Sequence, residues 1–189
     1  MNGAIAIITA RGGSKRIPKK NIKEFCGKPI IAYSIEAAFA SKIFTEVMVS
    51  TDDPEIADIA IQYGAKVPFL RSNETSDDFS TTRDVLDEVI ATYKTKLKRR
   101  FDYVCCIYPT APFVSAKKLR EAYDMLKDCK TDQIRYRVLL IIQSFVFACK
   151  ILQHQRNRIV RHHDKTAQDP VTVYVDFQAI YTVRLQQNQ

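Results

Sequence analysis

Five cations fall within ten residues around a pair of adjacent glycines: Arg11, Lys15, Arg16, Lys19 and Lys20 flank Gly12 and Gly13, with Ser14 and Asn21 as polar neighbours. Residue types in this pattern suit a compact polyanion, above all a nucleoside triphosphate. Arg11 can fork across two phosphate oxygens. Lys15 and Lys20 are point charges able to reach β- and γ-phosphates. Asn21 can donate to a phosphate or ribose oxygen. Gly12 and Gly13 are expected to turn with positive φ, so that their N–H groups and that of Ser14 form a concave anion nest. The alternative is a solvated basic turn. The segment matches neither GxxxxGK[ST] nor GxGxxG, which sets aside a Walker loop and a dinucleotide fingerprint.

Three later segments carry further candidates. Arg71 follows a short apolar run and either pairs on the surface or faces a ligand. Ser80 and Thr82 lie in SDDFSTT, where hydroxyls can read a base edge, cap the next helix, or both. Asp77 and Asp78 in the same motif form a carboxylate pair suited to loop and cap roles more than to metal binding. Tyr108 and Thr110 sit in YPTAP, either a rigid turn or a ligand wall.

The elements that must position these residues alternate. Strands are expected at 4–9, 46–50, 66–70 and 102–108, and helices at 30–40, 53–63, 81–97 and 116–126. Pro54 opens the second helix, Asp52 or Asp53 caps it, and Gly64 stops it. Strand–helix alternation predicts a mostly parallel sheet with helices on both faces, an α/β fold of three α/β/α layers. The basic loop then leaves the carboxyl end of the first strand, where ligands bind in such sheets.

Composition narrows the classes. The 189 residues suit one core, 46% of them hydrophobic. No apolar run is long enough to span a bilayer, and the first ten residues do not read as a secretory leader, so a cytoplasmic protein with no membrane partner is expected. The five cysteines show no ligand or disulfide spacing and read as reduced thiols. The net charge of +8 divides unevenly: residues 1–132 hold 21 Lys+Arg against 18 Asp+Glu, and 133–189 hold 8 against 3. Arg156, Arg158 and Arg161 are too scattered to form a nucleic-acid module, so no nucleic-acid partner is expected.

The same residues carry a resemblance. ARGGSKRIPKKN, CGKPIIAYSIEAA, EVMVSTDD, GAKVPFLRS, SDDFSTT and YVCCIYPTAPF resemble, in order, the motifs of the acylneuraminate cytidylyltransferase family, most closely the branch acting on pseudaminic acid. The resemblance covers about residues 4–131. The resemblance implies a nucleotide-diphospho-sugar transferase (Rossmann-like) fold. It also implies transfer of CMP from CTP to a nonulosonic acid, with loss of pyrophosphate. Arg11 and Lys20 would be catalytic. Arg11, Gly12, Gly13, Ser14, Lys15, Lys20, Asn21, Arg71, Ser80 and Thr82 would bind CTP, with Arg71 on the cytosine. Tyr108 and Thr110 would face the sugar; the sialic acid branch carries glutamine where Tyr108 stands. Mg2+ is the implied cofactor and a homodimer the implied assembly.

Residues 1–132 thus read as a nucleotide-binding domain and 133–189 as an atypical segment. All five glycines lie at or before position 64, and the last glutamate is Glu121. Glutamine occurs nine times after position 132 and once before it. The family's Asp-x-Asp metal pair is absent, Thr166 and Ala167 stand where an arginine is expected before Gln168-Asp169, and the dimerising arm falls in this region. The segment is therefore expected to be truncated or aberrant relative to the family, as after a frameshift. Its metal ligands stay unknown, and dimerisation and turnover by this chain are in question. The alternative to the enzyme is a relative that only binds nucleotide.

Overall fold

The structure is a computed structural model that describes residues 3–15, 17–128, 137–142, 159–161 and 172–176. Strand β1, Ala4–Thr9, is an interior strand of the sheet, paired on both sides. Its alternation sorts side chains between two cores. Ala6 and Ile8 join Ile31, Ile35, Val49, Ile56, Ile107 and Leu119 on one face, while Ile5 and Ile7 join Met48, Leu86, Val89 and Tyr93 on the other. Helices α1 (Ile30–Ser41), α2 (Pro54–Gln62) and α4 (Ala116–Asp128) cover the first face, and α3 (Thr82–Thr95) covers the second. The three expected layers follow directly.

Strands β4 (Glu46–Ser50) and β5 (Tyr103–Ile107) pair parallel on opposite sides of β1. A small hairpin, β2 (Glu24–Phe25) with β3 (Lys28–Pro29), precedes α1. Strand β6 (Arg137–Ile142) pairs parallel with β5, and β8 (Thr172–Asp176) parallel with β6. The short β7 (Ile159–Arg161) closes the edge antiparallel, giving the order β4-β1-β5-β6-β8-β7. The switch in winding direction beside β1 opens a crevice at the carboxyl ends of the strands.

The ends of the helices obey local chemistry. Asp53 caps α2, its carboxylate accepting from Glu55 N at 2.9 Å with Pro54 in the first turn. Thr81 and Asp84 form a reciprocal capping box on α3. Cys105 and Cys106 point into opposite cores, and burial pushes both thiols up, Cys106 to about 12, so they stay protonated and act as small hydrophobes.

One expected strand does not form. Residues 66–70 touch β4 through a single bridge at Lys66, whose N and O bond Val47 O and Val49 N at 2.9 Å each. Pro68 then removes the donor that a ladder needs, and the chain rejoins the edge only where Arg71 N bonds Thr51 O at 2.8 Å. The apolar run at 138–142 lies in strand β6. Of residues 171–183, only 172–176 are described, and they form β8. Arg16, Arg156, Arg158, the histidines and Gln168-Asp169 lie outside the described residues.

Candidate functional site

The carboxyl ends of β1, β4 and β5 surround a cleft of about 320 Å³, at the low end of the ~300–1,000 Å³ usual for small-molecule sites. From the β1 side come Thr9, Arg11, Lys20 and Asn21. Arg71, Asp77, Asp78, Ser80 and Thr82 come from the segment that follows β4 and starts α3, and Tyr108 and Thr110 from the β5 end. Eight expected site residues, dispersed over a hundred positions, therefore meet here. Gly12, Gly13, Ser14 and Lys15 lie in the adjoining loop rather than in the cleft wall.

The glycine loop works differently from the open nest expected. Neither Gly12 nor Gly13 has positive φ. Gly12 N donates to Asp52 Oδ1 at 2.8 Å, and Ser14 N turns back onto Gly12 O at 2.7 Å, so two of the three expected nest donors are spent internally. Gly12 is required for a steric reason: a Cβ there would stand 2.7 Å from the Asp53 Cβ and 2.6 Å from its Oδ2. Gly13 faces open space. Asp52, expected to be a possible cap, is instead the tether of the loop, and Asp53 is the cap.

Asn21 also departs from expectation. Its amide nitrogen donates to Arg11 O at 2.8 Å, which locks the loop against the helical turn at Lys20–Ile22. Its Oδ1 is buried and has no partner among the described residues, while the residue as a whole borders the cleft. Asn21 therefore offers an acceptor, suited to a hydroxyl or amine rather than to a phosphate oxygen. Lys20 lines the cleft with no ion pair among the described residues. Lys19 instead pairs with Glu55 on the surface.

Arg11 and Lys15 converge on one carboxylate. Arg11 Nη2 meets Asp78 Oδ1 at 2.6 Å, Arg11 Nη1 donates to Asp77 O, and Lys15 Nζ bonds Asp78 Oδ2. These contacts, from Lys15 first and then Arg11, hold the Asp78 carboxyl below its ordinary value. Asp77 organises the loop beneath: its Oδ1 accepts Phe79 N at 3.0 Å and Ser80 N at 2.6 Å, and the Ser80 hydroxyl donates to Glu74 O at 2.9 Å.

Arg71 is not a surface arginine; it is 8% exposed. Its Nε and Nη2 bond Ser50 Oγ at 3.1 Å and Ser50 O at 2.7 Å, which anchors the guanidinium at the end of β4. Burial lowers its pKa, opposed by the nearby Asp52 and Glu88 carboxylates. Glu88 on α3 fixes the backbone beside it, accepting from Ser72 N at 2.9 Å and from the Thr75 hydroxyl. Burial works against the Glu88 charge, but these donors more than offset it and leave its pKa lowered.

Thr82 Oγ1 lies 3.2 Å from Tyr108 OH, joining the expected nucleotide and sugar sides of the cleft. The buried Ser34 of α1 donates to Tyr108 O at 2.9 Å and sets the strand end. Ser50, Ser34 and Glu88 escaped the sequence reading, and Asp52 entered it only as a possible helix cap. Each is a polar residue that contacts a site residue across a long sequence separation, and only the position of Asp52 and Ser50 at a strand's carboxyl end hinted at a role.

A metal cage is not evident: among the described residues no three His, Cys, Asp or Glu side chains cluster to hold an ion. The cleft carboxylates are engaged, Asp78 by cations and Asp77 by its own loop.

The cytidylyltransferase sequence profile matches residues 5–183, continuing past position 131, where the resemblance was expected to end, and through the change in composition. The pseudaminic acid cytidylyltransferase of Campylobacter jejuni is 38% identical over 183 residues, covering 94% of this chain and 76% of that protein. The CMP-N,N'-diacetyllegionaminic acid synthase of Legionella pneumophila is 41% identical over 123 residues, covering 65% of this chain and 53% of that protein. Among solved structures, a CMP:2-keto-3-deoxy-manno-octonic acid synthetase complexed with CTP superposes with a TM-score of 0.57 at 25% identity, over 78% of this chain and 56% of that one. The strand order, the basic loop after β1 and a profile match spanning nearly the whole chain together place this protein in the cytidylyltransferase family.

Proposed function

We propose that this chain transfers CMP from CTP to a nonulosonic acid of the pseudaminic type and releases pyrophosphate. The observation that carries the reading is the convergence of Arg11 and Lys20 with Arg71, Thr82 and Tyr108 in one cleft at the strand ends. In this reading a sugar hydroxyl attacks the α-phosphorus, an O–P bond forms as the O–H proton passes to water, and the bond to the pyrophosphate breaks. Charge accumulates on the leaving oxygens, and fixed cations are the groups that stabilise it. Arg11 and Lys20 supply them, with Lys15 at the rim. Arg71, held by Ser50, offers the rest of its guanidinium to the base. The Asn21 acceptor suits a ribose or sugar hydroxyl. Tyr108 and Thr110 form the sugar wall.

The similarity to the Campylobacter jejuni pseudaminic acid cytidylyltransferase supports the choice of sugar. Mg2+ belongs to this reading as the counter-ion of the triphosphate, a tetra-anion that must be partly neutralised. The described residues provide no cage for it, so it is assigned to the substrate and no step is routed through a protein-held ion. No described helix is long and apolar enough to cross a membrane, and CTP is a cytoplasmic metabolite, so we place the activity in the cytoplasm.

The test is pyrophosphate release with CTP and Mg2+ across pseudaminic, legionaminic and N-acetylneuraminic acids. Release is expected with pseudaminic acid above the others. CTP binding by calorimetry without release from any sugar would establish the rival, a relative that only binds nucleotide. The missing Asp-x-Asp pair is the feature that favours that rival.

A further inference from the structure

We propose that Asp78 is an internal stand-in for the β- and γ-phosphates: it occupies the phosphate cations in the free protein and returns to them as pyrophosphate leaves. The inference rests on the nucleotide reading of the cleft and goes beyond it by assigning the carboxylate a competing role. Asp78 places one oxygen 2.6 Å from Arg11 Nη2 and its other oxygen on Lys15 Nζ. Two anionic oxygens on one centre, held by an arginine fork and a lysine, reproduce the contacts a terminal phosphate makes. Arg11 is held further by the Asp77 carbonyl, so its guanidinium faces the 77–80 turn rather than open solvent. A triphosphate on Arg11 and Lys15 therefore has to displace Asp78.

The loop is built to let go. Ser76 Oγ bonds Ser72 O at 2.6 Å on one side, and the Thr81–Asp84 box fixes the other. Between them Phe79 is 91% exposed and packs on no core, so withdrawal of the turn breaks no apolar contact. Asp77 holds the turn together through Phe79 N and Ser80 N, so the carboxylate moves with a preformed unit. The Asp78 ion pairs are solvent-accessible, with the carboxylate side chain 37% exposed, and such pairs are weak enough to exchange. Lys20, unpaired among the described residues, stays available to receive the incoming phosphate before the exchange.

The experiment titrates CTP, inorganic pyrophosphate and CMP into the full chain and its Asp78→Asn variant. CTP and pyrophosphate should bind roughly three- to tenfold more tightly to the variant, and CMP, which lacks the displaced phosphates, should be unchanged. The gain should shrink, without vanishing, in a Lys15→Ala background, where Arg11 is the remaining cation that Asp78 occupies. Asp124→Asn, which removes one negative charge from the exposed Lys127 pair on α4, should leave all three affinities unchanged. Unchanged or weaker pyrophosphate binding by Asp78→Asn would overturn the proposal and make Asp78 a positioning residue for Arg11. Equal tightening for CMP would overturn it too, as a general charge effect. Pyrophosphate reads the cations without the base, so its arm decides the role of Asp78 even where CTP fails to bind, a result that would instead remove the cytidine reading.

Discussion

The two ends of the parallel sheet each hold one carboxylate facing two cations, and they behave as opposites. At the amino end, Glu46 opens β4 with its side chain 2% exposed, bonded by Tyr93 OH at 2.9 Å, by Lys66 at 3.1 Å and by Arg99. At the carboxyl end, Asp78 faces Arg11 and Lys15 from an exposed turn. Burial makes the first arrangement permanent: removing a partner from a desolvated group leaves an unpaired charge or hydroxyl in the core. Exposure makes the second exchangeable, because water and ligand anions can replace the carboxylate at little cost. Similar ion pairing thus makes a structural clasp at one end and an exposed, exchangeable cluster at the other, the one proposed above to bind phosphate.

The largest expected effect belongs to the clasp. Glu46→Gln should destabilise the fold by about 2 kcal/mol in chemical denaturation, since Tyr93 loses its charged acceptor, while Lys66 and Arg99 can still reach water. Asp78→Asn should leave the denaturation midpoint unmoved. Equal losses in the two variants would break the contrast.

Next is the cleft itself. Lys20→Ala should weaken CTP binding roughly tenfold by calorimetry without lowering stability, as expected for a cation that contacts only ligand. Unchanged affinity would take Lys20 out of the site.

Acid provides a finer probe. The donors around Glu46 and Glu88 outweigh burial and lower both pKa values from the ordinary 4.5. Their stabilisation is therefore complete above about pH 4.5 and is lost as pH falls through the lower folded values. Glu46→Gln should flatten this acid limb of the stability profile, measured from pH 6 downward. A limb as steep as in the parent would assign the acid sensitivity to other carboxylates.

The smallest effect is on choice of sugar. Tyr108→Gln should shift relative pyrophosphate release from pseudaminic towards N-acetylneuraminic acid by only a few fold, because Thr82 and Ser34 continue to shape the wall. An unaltered ratio would move sugar recognition away from Tyr108.

Local patterns in the chain specified the elements that form. The apolar alternation of 4–9 made a strand with two buried faces, Asp53-Pro54 started a helix, and Thr81 with Asp84 started another. The ordered motifs also identified the residues that meet in the cleft. Residues 66–70 misled because strand propensity is read one residue at a time, while a ladder needs a donor at Pro68 that does not exist.

What the sequence by itself determined was the cast: a basic glycine loop at a strand end, a second arginine, a carboxylate pair and an aromatic wall, on an α/β frame. The tertiary structure decided who pairs with whom. Only folding puts Asp52 on Gly12 N, sets the Asn21 amide on Arg11 O, buries Arg71 on Ser50 and brings Asp78 across 67 positions to Arg11. Those pairings depend on distances set by β1, β4 and β5 lying side by side. Period and composition along a chain carry no record of which strand ends become neighbours.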